Sequence, residues 1–75
     1  MTEINEDILL FVIFCIESVA EAAGLKGNEV YKIMVEQTDI LDDYIIPCYD
    51  ALHTQGQEYI VRELIEVIRK KGGKI

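Results

Sequence analysis

Ile8-Leu9-Leu10-Phe11-Val12-Ile13-Phe14-Cys15-Ile16, nine apolar residues in succession, decide the fold of this 75-residue chain. Acidic residues suit the first turn of a helix and glycine the position just past the last, so the run reads as the middle of a helix opening near Asn5-Glu6-Asp7 and closing at Gly24. A membrane-spanning helix needs about 20 apolar residues, and here Glu17 and Glu21 follow at once. A surface helix buries a single stripe, whereas this one is apolar on every side, so cover is expected on more than one side. On a helical period Ile4, Ile8, Phe11, Cys15 and Val19 form one stripe, and Leu9, Val12, Ile13, Ile16 and Ala20 a second. The small residues of Ala20-Glu21-Ala22-Ala23 let a neighbouring helix come close.

The rest of the chain reads as further helices, and no stretch alternates at period two for long enough to suggest a strand. Leu25 to Asn28 is a turn, with Asn28 as the expected cap of a second helix reaching about Gln37 and burying Val30, Ile33 and Met34. Thr38 or Asp39 is expected to cap a third helix from Ile40 to Ile46. Pro47, which has no N–H and clashes with the preceding turn, breaks it before a helical continuation to His53. Ile40, Leu41, Tyr44, Ile45, Cys48, Tyr49 and Leu52 are its inward candidates. Thr54-Gln55-Gly56-Gln57 fits a capping box, with the Thr hydroxyl and Gln side chain satisfying amides at the start of a last helix that Gly72-Gly73 stops. Lys32 with Glu36, Glu58 with Arg62 and Glu66 with Lys70 are the i, i+4 pairs. The expected architecture is all-α, a compact bundle of four helices in one domain over residues 1–75, the third helix broken at Pro47.

A core of this size supplies only about 3–5 kcal/mol, and small chains add disulfides, a metal or an oligomer interface. Cys15 and Cys48 are too few for a disulfide framework and are expected to be reduced and buried. Residues near the start carry Glu3, Glu6 and Asp7 in place of the basic lead-in of a signal peptide, so the expected location is cytosolic. Net charge is −7, from 14 acidic and 7 basic residues. Residues 1–61 hold twelve acids against Lys26 and Lys32, a net −10, while residues 62–75 hold five cations against Glu63 and Glu66, a net +3. Nucleic acids attract proteins through Lys and Arg, so most of this surface is unsuited to them. The basic end is accounted for by the helix macrodipole, which favours cations there.

His53 is the sole histidine, with Asp50 at i−3 and Tyr49 at i−4 on its side of a helix, where a carboxylate can orient an imidazole. The plainer reading is that His53 satisfies loose carbonyls at a helix end. No catalytic residue is assigned, because a nucleophile would have to be Thr54, Cys48 or a tyrosine and short packed helices leave little space for a pocket. Zinc needs about four Cys or His ligands, and Asp39, Asp42 and Asp43 lack the order of a calcium loop. No metal or cofactor is expected.

Tyr49-Asp50-x-Leu52-His53-Thr54-Gln55-Gly56-x-Glu58-Tyr59-Ile60, with Phe11-x-x-Phe14-Cys15-Ile16-Glu17 and Gly27-x-Glu29-Val30-Tyr31, resembles a family of small bacterial all-helical proteins classed only as a domain of unknown function. The resemblance spans roughly Leu9 to Ile68. It implies an accessory or toxin-neutralising role, since members are encoded beside proteins resembling ADP-ribosyltransferases, and it transfers no catalytic residues. The candidate functional box is Tyr49, Asp50, His53, Thr54, Gln55 and Gly56. The expected function is a small protein-interaction module that self-associates through apolar helix faces. The alternatives are an antitoxin-like subunit covering a neighbouring enzyme, and a small enzyme or ligand-binding protein using Tyr49, Asp50, His53 and Thr54. Neither a nucleic acid nor a membrane is expected as partner.

Overall fold

The computed structural model describes residues 5–75, and the expectations for residues 1–4, Ile4 among them, lie outside it. The described residues are all-α, with no strand among them. α1 runs Glu6–Ala23 and starts as its sequence dictates, with the Asn5 side-chain oxygen accepting the Ile8 N–H at 2.8 Å. It ends at Gly24, whose left-handed backbone (φ 70°) lets the Gly24 N–H reach Glu21 O at 3.4 Å and the Leu25 N–H reach Ala20 O at 2.9 Å. That is a Schellman closure, satisfying carbonyls the helix itself leaves open.

α1 is not covered all round. Val12, Cys15, Val19 and Ala20 are buried and Ile8, Phe11 and Ile16 pack partly against the core, so the first stripe faces inward. Leu9, Leu10, Ile13 and Phe14 are exposed. The second stripe is therefore split, because α1 packs against α2 on one side and α4 on another, and its outer face stays exposed among the described residues.

α2 spans Gly27–Lys32 and widens without a break into a π-helical segment, Ile33–Gln37. Asn28 is not its cap. Lys26 holds that position, and its N–H donates to Glu29 Oε1 at 3.2 Å. Val30, Ile33 and Met34 are buried as their spacing requires. Thr38 closes the π segment, with its N–H 3.0 Å and its hydroxyl 2.8 Å from Ile33 O. Neither Thr38 nor Asp39 lends its side chain to the following segment, because Thr38 is spent on the preceding one and Asp39 reverses the chain in the left-handed region (φ 56°).

The expected third helix is a second π-helical segment, Leu41–Ile45, closed by the Ile46 N–H on Leu41 O at 3.0 Å. A wider turn brings Ile46 into the core beside Ile40 and Ile45, a residue that a regular 3.6 period does not point inward. Pro47 sits in the turn beyond this segment, and the helical continuation shrinks to α3, Tyr49–Leu52. Cys48 is only half-buried, unlike the fully buried Cys15.

α4 covers Gln57–Lys70 and buries Ile60, Leu64 and Ile68, a strict i, i+4, i+8 stripe. Its end repeats the device of α1. Gly72 is left-handed (φ 87°), its N–H donating to Arg69 O at 3.1 Å, and the Gly73 N–H donates to Ile68 O at 2.8 Å. A Cβ on Gly73 would lie 2.5 Å from Ile68 Cγ2 and 2.8 Å from Thr38 Cγ2, so only glycine lets the end of α4 dock on the corner that Thr38 makes. Lys71 adds an ion pair to Asp43 at 3.0 Å.

Candidate functional site

The box between α3 and α4 is built around an aromatic string. Phe11 of α1 meets the Tyr49 ring edge-on, with centroids 5.4 Å apart, and Tyr49 stacks flat on His53 at 4.4 Å. His53 is fixed twice by one acceptor: its backbone N–H and its Nδ1 lie 2.9 and 2.7 Å from Tyr49 O. The carbonyl can only accept, so Nδ1 carries the proton. This is the end-of-helix role that the position of His53 suggests. Asp50 makes no hydrogen bond or ion pair with His53 among the described residues, and its carboxylate is exposed.

Thr54 does not cap α4. Its hydroxyl donates to Ala51 O at 3.2 Å, closing the end of α3, while Gly56 is the residue that precedes α4 and offers no side-chain acceptor. Gln57, expected to turn back on Thr54, reaches across to α1 and donates from Nε2 to the buried Ser18 Oγ at 3.1 Å. Gln55 is exposed, and its N–H donates to Leu52 O at 3.0 Å. The box therefore joins α3 to α4 and ties α3 to α1 through Tyr49, while Gln57 just beyond it ties α4 to α1, and the side chains of the box do not converge on a common cleft.

A groove of about 830 Å3 lies beyond the box, between α1 and α4. The half-buried Val61 and Ile65 give it an apolar floor, and the exposed Ala22 adds apolar lining from α1. Ser18 and Glu21 form the α1 edge, and Glu58, Arg62, Glu66 and Arg69 form the α4 edge. Of the expected i, i+4 pairs only Glu66 with Lys70 is formed, at 3.3 Å; Glu58 with Arg62 and Lys32 with Glu36 are not within ion-pair distance. Two signals for this groove stood in the sequence: the small residues closing α1, and the Glu/Arg alternation on α4.

Above the groove the outer face of α1 is more apolar still. Leu9, Leu10, Ile13 and Phe14 are 50, 58, 43 and 39 % exposed. Phe14, Ser18 and Glu21 follow one another at i, i+4 and i+7, so the Phe14 margin of this face runs into the α1 edge of the groove. On the far side of α4, Tyr44, Cys48, Tyr59 and Glu63 form a second cluster. Burial, then the charge of Glu63, pushes the Tyr44 phenol above its usual range; for Tyr59 the charge of Glu63 comes first. Burial alone raises the Cys15 thiol to about 12. No group of three or more His, Cys, Asp or Glu side chains able to hold a metal ion occurs among the described residues. No single helix among the described residues is long and apolar enough to cross a membrane, and α1 joined to α2 with its π extension turns through 113°.

Residues 10–71 match the family model described as Protein of unknown function (DUF3791). No curated protein and no solved structure matches the chain.

Proposed function

We propose, from the premise that the chain belongs to the DUF3791 family of proteins of unknown function, that it is a protein-interaction module that self-associates through its apolar helix faces. The observation that carries this reading is the outer face of α1, where four large apolar side chains stand in solvent on consecutive turns. Each square ångström of apolar surface left in water forgoes about 25 cal/mol, and contiguous apolar patches rimmed by polar residues mark contact sites. Here the rim is Glu6, Asp7, Glu17 and Glu21. Two unpaired thiols support a reducing, cytosolic setting for this role. The acidic balance over residues 1–61 supports a protein partner over a nucleic acid.

The same acidic rim favours a second reading, an accessory subunit laid over a neighbouring protein that presents an apolar surface flanked by cations. The reading that makes Tyr49, Asp50, His53 and Thr54 a reaction centre has less support, since Thr54 and His53 close a helix end and none of the four lines the groove. Sedimentation equilibrium at micromolar concentration tests self-association. The expected result is a multiple of 8.6 kDa that reverts to one chain when Leu10 and Phe14 are both replaced by Asp. A single-chain mass for the unaltered protein at every concentration overturns it.

A further inference from the structure

The charges on the groove edge of α4 specify how a second copy is held, an inference that rests on the self-association proposed above. Glu58, Arg62, Glu66 and Arg69 are all exposed and share one face of the helix at spacings of four, four and three. Their signs alternate. Within the chain Glu58, Arg62 and Arg69 have no ion-pair partner among the described residues, although Arg62 stands one turn from a carboxylate on either side. Glu66 is engaged by Lys70, and Arg69 Nε donates to Ile75 O at a long 3.4 Å.

Read from the other end with every sign inverted, the order of charges is unchanged, and the spacings become three, four and four. When two identical helices cross antiparallel about a two-fold axis, residues equally far from the axis on opposite sides face each other. Glu58 and Arg69 are equally far from the middle of α4, and Arg62 and Glu66 share nearly the same midpoint, the two differing by half a residue, about 0.75 Å of axial rise. Long side chains absorb that offset. Val61 and Ile65 lie on either side of that region, with their own midpoint half a residue nearer the start of α4, so the half-buried floor of the groove comes close to its copy while the charges meet their opposites. A sign-inverting palindrome is complementary to itself by construction, and the occupant it fits is a second copy of this chain. The all-acidic rim of α1 lacks that property.

We infer that α4 pairs antiparallel with α4 of a second copy, Glu58 against Arg69 of the partner subunit and Arg62 against Glu66 of the partner subunit, closing the groove from both sides. The test is charge reversal and rescue, read as the dimer dissociation constant by sedimentation equilibrium. Glu58→Arg and Arg69→Glu are each expected to weaken the dimer by about tenfold or more, since each places like charges together twice. The double variant Glu58→Arg/Arg69→Glu is expected to return within about threefold of the original. Thermal melts control for folding, and the double variant is informative there. It puts a cation at the start of α4 and a carboxylate at its end, the worst arrangement for the macrodipole, so recovered dimerisation has no origin in helix stability. If the single reversals dimerise unchanged, or the double is as weak as the singles, while Leu10→Asp/Phe14→Asp still dissociates the protein, the α4 pairing is overturned and self-association stands. A monomeric unaltered protein overturns both.

Discussion

The Thr38 hydroxyl and the Thr38 amide both donate to the Ile33 carbonyl, at 2.8 and 3.0 Å, so one oxygen closes the widened turn that ends the second helix. Thr38 is buried, and its methyl lies against the place where Gly73 docks the end of α4. Thr38→Val keeps the shape and the amide bond and loses one buried hydrogen bond. The expected cost is about 1 kcal/mol of unfolding free energy, measured by urea denaturation. Thr38→Ser keeps the bond and loses only the methyl. A Val variant as stable as the original would show that the hydroxyl adds nothing to the closure.

The caps give a paired expectation, because one position assigned from sequence holds its helix start and another does not. Asn5→Ala removes the side-chain bond to the Ile8 N–H at the start of α1 and is expected to cost about 1 kcal/mol. Thr54→Ala removes a long bond between an exposed hydroxyl and Ala51 O, with no effect on α4, and is expected to stay within about 0.5 kcal/mol. Chemical denaturation of both variants separates the two roles. A large loss for Thr54→Ala would restore it as a cap.

What was legible in the chain and what was not divides along a physical line. Asn5, Gly24 and Gly72-Gly73 were legible, because capping and left-handed closure depend on a few adjacent residues. The buried face Val30, Ile33, Met34 was legible from periodicity. The π segments were not. The first is closed by Thr38 spending both donors on Ile33 O, at a corner where Gly73 docks from far along the chain, and the second by the Ile46 N–H on Leu41 O. Thr54 to Gln57 has the pattern of a local capping motif, and tertiary contact overrides it, since Gln57 donates to Ser18 on α1. Periodicity showed that Leu9 and Ile13 sought cover, but hydrophobicity states a demand and does not say whether this chain meets it.

The two cysteines are expected to differ in reactivity. Cys15 has no exposed surface and burial holds its thiol up to about 12, so at pH 8 it is neither ionised nor reachable. Cys48 is half-buried between the second π segment and α3. A disulfide reagent added to the native protein is expected to titrate one thiol per chain promptly, and the second only when denaturant opens α1 from the core. Prompt reaction of both would mean that α1 is not docked as described.

Stability is expected to decline above about pH 10, and Glu63 sets part of that decline. Tyr44 and Tyr59 both hold their phenol protons more tightly than free tyrosine, whose pKa is near 10. As pH rises past that value the unfolded chain releases these protons first, so the native state binds more of them and unfolding free energy falls with pH. The contribution is complete below the unfolded value and is lost as pH climbs through the folded ones. Glu63→Gln separates the causes. Its charge is the leading cause at Tyr59 and second to burial at Tyr44, so the substitution is expected to return Tyr59 towards the ordinary value while Tyr44 stays raised. Absorbance titration near 295 nm, with Tyr59→Phe to assign the steps, reads this directly. A Tyr59 step unmoved by Glu63→Gln would remove the Glu63 charge as the leading cause at Tyr59.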